Sequence, residues 1–278
     1  MTKIYYFSGT GNTLWSARRL VELLARPKPL APETAYTPEV PSPAPKACEM
    51  FNIASEMRRE SIMIEADAVI VLFPAYAYQT PSMVRDFLLK AEIRAPYIAA
   101  LATFGSDPGG ALAEASRILK RKKTPLSFAG GIPCVENYIT IFGVPSPATK
   151  EKRLAMQRAA TEDMARAIEK RKTSRVVLTV RPFSTLVSSL FRVAKRLFVK
   201  GYKPTERCNG CGLCARICPA GAITIIENKP VFSSVCEHCQ ACLNWCPTRA
   251  IRYVRVTPDS ERYHHPDIKA ADMLIRNL

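Results

Sequence analysis

Apolar positions along this chain fall into two regimes. Through roughly the first two thirds, short apolar runs alternate with segments whose apolar residues recur every three or four positions. Residues 4–7, 68–73, 98–103 and 126–133 read as strands buried on both faces, because polar alternation is nearly absent from them. A helical pattern follows the first run, with Leu14, Ala17, Val21 and Leu24 on one side. Further helices are predicted over 82–90, over the stretch ending near 122, and from 146 to about 172. In the last, Ser146 is the N-cap, Pro147 takes the first helical position, and Leu154, Ala155, Ala165 and Ile168 face the sheet. Repeated strand–helix units of this kind predict an α/β fold with a doubly wound parallel sheet. Seven prolines between positions 27 and 45 forbid a long helix there and permit at most an edge strand at 34–37, which leaves the second strand of the sheet unassigned.

The pattern then changes. Residues 176–180 are strand-like, and 183–199 form an amphipathic helix with Leu186, Val187, Leu190, Phe191, Ala194, Leu197 and Phe198 on one face and Arg192, Lys195, Arg196 and Lys200 on the other. Beyond it the periodicity gives way to cysteines. Cys208, Cys211, Cys214 and Cys218, followed by Pro219, repeat after 28 residues as Cys236, Cys239, Cys242 and Cys246, followed by Pro247. Ile223 and Ile251 keep the same offset, so the segment is an internal duplication.

Each run is a C-x2-C-x2-C-x3-C-P signature for cysteine-ligated iron–sulfur clusters. Two-residue gaps let three thiolates wrap one cubane, and Gly210, Gly212, Ala215 and Ala241 are small enough for close approach. The fourth cysteine of each run serves the other cluster in two-cluster ferredoxins. The expected ligand sets are therefore Cys208, Cys211, Cys214 and Cys246 for one [4Fe-4S] cluster, and Cys236, Cys239, Cys242 and Cys218 for the other. Structural zinc does not ordinarily string four cysteines in this spacing and repeat them. Disulfides are disfavoured in a chain without an apolar leader. From about 200 to 256 the sequence resembles the two-cluster bacterial ferredoxins, a small α+β unit.

The first apolar run leads into Ser8, Gly9, Thr10, Gly11, Asn12 and Thr13, then a helix, the layout that binds phosphate. No lysine follows the glycines, which excludes a Walker loop, and Leu14 stands where a dinucleotide fingerprint needs its third glycine. What remains resembles the phosphate loop of flavodoxins, which holds FMN on neutral donors. Two further loops follow strands at the same sheet edge: Pro74, Ala75, Tyr76 and Tyr78 in one, Phe104 and Gly105 in the other. Tyr76 or Tyr78 on one side and Phe104 on the other are the expected covers of an isoalloxazine ring. Cys48 and Cys134 read as free buried thiols.

Forty Lys and Arg against 24 Asp and Glu give a formal net charge of +16. Residues 150–207 alone carry 16 basic against 5 acidic residues, a net of +11. Such an excess points to an acidic redox partner. Nucleic acid is excluded, because the aromatics of the amphipathic helix lie on its apolar face. Docking the two units together is the expected role of that face, with weak contact at a membrane surface as the alternative. With no apolar run of 18 residues, the expected compartment is the cytoplasm.

Taken with Asn137-Tyr138 and the tail Arg262-Tyr263-His264-His265-Pro266, these elements resemble the fused flavodoxin–ferredoxin electron-transfer proteins of anaerobes. The resemblance implies a flavodoxin-like domain over 1–173, a basic connector over 174–198, a two-cluster domain over 199–256 and a tail over 257–278. It implies electron relay between FMN, two [4Fe-4S] clusters and a partner oxidoreductase. A self-contained FMN-dependent reductase of a nitro compound or quinone is the alternative, although the sequence offers no catalytic acid or base for it. The His264–His265 pair lacks partners at ligand spacing and is expected to pack or to dock the tail.

Overall fold

An unbroken apolar strand needs cover on both faces, and this chain supplies it by placing helices between successive strands. The computed structural model describes residues 1–25, 47–174 and 182–275. In chain order they form β1 (Thr2–Tyr6), α1 (Asn12–Ala25), β2 (Cys48–Asn52), α2 (Ile53–Glu56), β3 (Met63–Glu65), β4 (Ala68–Pro74), α3 (Ser82–Lys90), β5 (Glu92–Arg94), β6 (Ile98–Phe104), α4 (Ala111–Arg121), β7 (Phe128–Pro133), α5 (Ile139–Phe142) and α6 (Pro147–Glu169). Five strands pair in the order β2-β1-β4-β6-β7, every pair parallel. Renumbered within the sheet this is 2-1-3-4-5, the flavodoxin-like doubly wound order, with its switch point between β1 and β4. All seven residues of β4 are buried. Helix α1 packs on α6, and α3 on α4.

One strand left unassigned by the sequence is now placed, and one expectation needs correction. The edge strand of the sheet is 48–52, beyond the prolines, and it pairs with β1 from Thr2↔Cys48 to Tyr6↔Asn52. The position expected for an edge strand, 34–37, lies outside the described residues, as does the strand-like run 176–180. On α6, Ala155 is exposed, and the buried positions include the polar Gln157 and Thr161. Gln157 Nε2 donates to Asn12 O (2.8 Å) and to Ser16 Oγ (3.0 Å), and Thr161 Oγ1 lies 3.2 Å from Ser16 Oγ. A polar seam thus joins α6 to the first turns of α1. Ser146 Oγ accepts from Thr149 N, as an N-cap should.

The second part contains α7 (Pro182–Phe198), β8 (Tyr202–Pro204), α8 (Leu213–Arg216), β9 (Ile223–Ile226), β10 (Lys229–Phe232), α9 (Ala241–Asn244) and β11 (Ile251–Tyr253). β9 pairs with β10, and β8 with β11, both antiparallel. Among the described residues no helix is long and apolar enough to cross a membrane.

Candidate functional site

The loop from Ser8 to Thr13 leaves the carboxyl end of β1 at the switch point and enters α1. Ser8 Oγ accepts from Gly11 N (3.3 Å) and Leu14 N (3.4 Å), folding the loop back on itself while Gly11 takes φ +95°. Thr13 Oγ1 is 2.7 Å from Thr103 Oγ1 on β6. Asn12 Nδ2 donates to Val135 O (3.0 Å), and Asn137 Nδ2 donates to Thr10 Oγ1.

Beside this loop lies a cavity of about 420 Å³, a size ordinary for cofactor sites. Of the twelve residues expected to hold the cofactor, Ser8, Gly9, Thr10, Asn12, Thr13, Pro74, Ala75, Tyr76, Tyr78, Phe104 and Gly105 all line it. Gly11 does not. It faces the tail, where a Cβ would come within 3.2 Å of Ile268 and His265. Tyr76 meets Phe7 edge-on at 6.2 Å, and its hydroxyl is buried with no partner. Ala77 and Tyr78 both have positive φ, and Gly110 N donates to Tyr78 O (2.8 Å), which pins the loop over Gly109 and Gly110.

The cavity continues beyond the residues expected to hold a cofactor. Its far wall comprises Thr140, Ile141, Phe142, Val187, Phe191, Phe198, His238, Tyr253 and Val254. His238, 1 % exposed, belongs to the second cysteine run, and burial holds its imidazole below the usual pKa. Its Nε2 lies 2.8 Å from Lys195 O. Because a carbonyl only accepts, Nε2 carries the proton and Nδ1 is left as an acceptor. That Nδ1 and Thr140 Oγ1 are buried without partners. Phe191 and Phe198 of α7 approach the His238 ring edge-on. Lys195 Nζ donates to Ser82 Oγ (2.6 Å), and Glu237 accepts from Ser82 N (3.0 Å), so α7 and the second cysteine run are both tied to the start of α3.

The duplication extends to backbone geometry. Gly210 (φ +73°) and Gly212 (φ +69°) correspond to His238 (φ +53°) and Gln240 (φ +63°), and Gly221 (φ +59°) corresponds to Arg249 (φ +52°). Non-glycine residues in this region carry a cost of about 1–2 kcal/mol each. Buried anchors hold two of them: the His238 contact to Lys195 O, and the donation of Gln240 Nε2 to Tyr202 OH (2.8 Å). Equivalent N–H···S bonds also recur, from Ala222 N to Cys218 Sγ (3.2 Å) and from Ala250 N to Cys246 Sγ (3.3 Å).

The eight thiols sort into two neighbourhoods. Burial pushes the Cys214 thiol up to about 11, and its charged neighbours that raise it further are Cys246, Cys211 and Cys208. Burial also raises Cys239, with Cys218 and Cys236 as its thiol neighbours. Cys242, raised by burial, has Cys239, Cys236 and Cys218 nearest and Cys214 beyond them. Sites this hostile to a bare thiolate become favourable once a metal takes up the charge. Among the described residues no three His, Cys, Asp or Glu are close enough together to bind a single ion. Cys134, pushed up to about 12 by burial, and the half-buried Cys48, up to about 11 from the same cause, stand apart as free thiols.

The tail closes the site from the other side. His265 N donates to Thr10 O (2.9 Å), Tyr263 OH to Asn12 Oδ1 (2.8 Å), and Trp245 Nε1 to Gly9 O (3.1 Å). His264 stacks on Trp245 (4.1 Å) and His265 on Trp15 (5.1 Å), so the histidine pair docks the tail on the chain's two tryptophans. Arg262 donates to the carbonyls of Leu243, Ser260, Ile251 and Thr257.

Comparison with known proteins matches residues 202–224 to the 4Fe-4S binding domain. A ferredoxin of Methanocaldococcus jannaschii, itself uncharacterized, is 38% identical over 58 residues, which cover 19% of this chain and 75% of that protein. An iron–sulfur protein of Rhodospirillum rubrum is 33% identical over 69 residues; the match covers 18% of this chain and 36% of that protein's length. Among solved structures, the two-electron reduced flavodoxin of Megasphaera elsdenii is 15% identical, covering 58% of this chain and 99% of that one, with a TM-score of 0.31. A putative flavoprotein of Bacteroides eggerthii is 16% identical, covering 47% and 85%, with a TM-score of 0.30.

Proposed function

Because its C-terminal cysteine segment makes this chain a member of the ferredoxin family, we propose that it is an electron-transfer protein holding two [4Fe-4S] clusters on its eight repeated cysteines and FMN in the switch-point cavity. One observation carries the flavin reading. Of the five buried polar side-chain atoms without partners among the described residues, three, Tyr76 OH, Thr140 Oγ1 and His238 Nδ1, belong to residues on the wall of a single cavity. Orphaned buried groups are costly, so their convergence fits a ligand that satisfies them. The phosphate loop is another part of the same wall, with Ser8, Thr10 and Thr13 as neutral donors at a helix N-terminus. At the far wall, His238 Nδ1 would accept from a ligand N–H, while Phe104, Val187 and Phe191 exclude water.

When bound, FMN supplies one- or two-electron chemistry and each cluster a single electron. The chain's own residues set an order. A Cβ on Gly9 would stand 2.3 Å from Cys239 O, so the second cysteine run abuts the phosphate loop. In the set Cys218, Cys236, Cys239 and Cys242 all but Cys236 are buried, whereas in the other set Cys211 is exposed and none is buried. With both clusters in place, the buried set would stand nearer the cavity and the exposed set nearer a partner. The net charge of +16 favours an acidic redox protein as that partner, and reduced cysteine ligands favour the cytoplasm.

Anaerobic purification with iron, acid-labile sulfide and FMN counted per chain tests this reading. Eight irons, eight sulfides and one FMN are expected. One zinc per cysteine run without sulfide would end the cluster reading, and a full cluster complement without flavin would end the cavity reading alone.

A further inference from the structure

Helix α7 buries only part of its apolar surface. Val187, Phe191 and Phe198 line the cavity, while Leu186, Leu190, Val193 and Leu197 stand outward, each 65 to 78% exposed. Their spacing of four, three and four residues puts them in one stripe beside the inward one. The stripe is not isolated. Ile141, Phe142 and Val254, equally exposed, share the cavity wall with the inward residues of α7, so the apolar surface continues round the cavity mouth. Contiguous exposed apolar surface of this kind marks an interaction site.

The charge on α7 and on the strands beside it is of one sign, whereas Asp107 and Glu136 lie on the cavity wall. No Asp or Glu occurs anywhere in α7. Exposed cations follow the stripe at Arg196 and Lys200 and continue onto the paired strands β8 and β11, where Lys203 lies opposite Arg252, with Arg255 two residues after Tyr253. Lys195 is occupied by Ser82 and Glu237. An apolar stripe edged by cations, on a helix of 17 residues and about 26 Å, is the form that lies flat in the interface of an anionic bilayer. A second copy of the chain fits the stripe less well, because four positions over 12 residues fall short of the three to four heptads that hold helices together.

We propose that the outward face of α7, with Ile141, Phe142 and Val254 beside it, docks this protein on an anionic membrane surface and turns the cavity mouth toward the lipid. This goes beyond the electron-transfer reading and does not depend on it. The full-length protein, as purified with its metal content measured, is sedimented with vesicles of pure phosphatidylcholine and with vesicles containing one third phosphatidylglycerol. At least about tenfold more protein should sediment with the anionic vesicles, and high salt should release most of it. The double substitution Leu190→Glu with Leu197→Glu should lower that binding about tenfold, with iron content and unfolding midpoint unchanged, since both side chains are in solvent. Replacing Arg196, Lys200 and Arg252 by Gln should lower it several-fold. Equal sedimentation with both vesicle types, or binding indifferent to the leucine substitutions, would overturn the proposal. So would a concentration-dependent dimer, seen by analytical ultracentrifugation, that the leucine substitutions abolish, because the stripe would then join two copies.

Discussion

Gly9 is held to its size by what stands opposite. A side chain there would meet Cys239 O at 2.3 Å, the Tyr76 hydroxyl at 2.9 Å and Cys239 Cβ at 3.0 Å, and the first of these is backbone that cannot swing away. Gly9→Ala should therefore push the loop from Ser8 to Thr13 and the second cysteine run apart, costing about 1–3 kcal/mol as overpacking does. A denaturant midpoint unchanged from wild type would show that the contact yields freely. His265 makes a prediction in pH. Burial lowers its pKa from 6.5 to about 4, with Asp267 opposing the shift and His264 and Arg158 adding to it. Folded, it stays neutral where the unfolded chain would already be protonated. Its share of stability is complete above pH 6.5 and is lost as pH falls from 6.5 toward 4, amounting to at most about 3 kcal/mol. His265→Phe keeps a ring over Trp15 and removes the titration, so its unfolding midpoint should fall less steeply between pH 7 and 5 than that of wild type. Parallel slopes would assign the acid sensitivity elsewhere.

At the scale of elements, the two cysteine runs exchange their last members. Cys214 has Cys246 among its neighbours, and Cys239 has Cys218. Cys218→Ala should thus deplete the same cluster as Cys236→Ala, and Cys246→Ala the same cluster as Cys208→Ala, although each pair is split between the two runs. Electron paramagnetic resonance of the remaining reduced cluster reads this directly. If Cys218→Ala instead matched Cys208→Ala, each run would hold its own cluster. The expected exchange of fourth ligands rests on the spacing of the cysteines. His238 was not singled out, because its cavity-facing nitrogen depends on α7 arriving from another part of the chain. β2 was not legible, since five residues carrying Met50 and Phe51 beside Glu49 give a weak alternation next to a long proline-rich stretch. Gln157 and Thr161 interrupt the apolar pattern of α6, and their burial depends on α1 supplying Ser16 and Asn12 O as partners. Local patterns reveal strands and ligands, whereas a buried polar pair is visible only once both of its elements are in place.

The whole molecule is coupled through its last residues. The described tail crosses from the cysteine unit to the loop from Ser8 to Thr13 and α1, and contacts separated by some 250 positions in sequence meet there: Tyr263 with Asn12, His265 with Thr10 and Trp15, Asp267 with Trp15, and Asp272 with Arg18. Ile275 N donates back to Arg216 O in α8, so the strap is fastened at both ends. Removing residues 261–278 would leave Asn12 Oδ1 without its tyrosine and expose both tryptophan faces, at about 1–3 kcal/mol for the orphaned acceptor alone. The cysteines are untouched by that deletion, so iron content should stay at the wild-type level. The two units should then lose their mutual support, and calorimetry should show two separate unfolding transitions where the full chain shows one. FMN, if it rests on Ser8 to Thr13, should dissociate about tenfold more readily, because Thr10 and Asn12 are the residues the tail steadies. The calorimetric result reads the coupling whether or not flavin is present. A truncated chain that still unfolds in one step at the wild-type midpoint would show that Trp245 and Gly9 hold the units together without the strap.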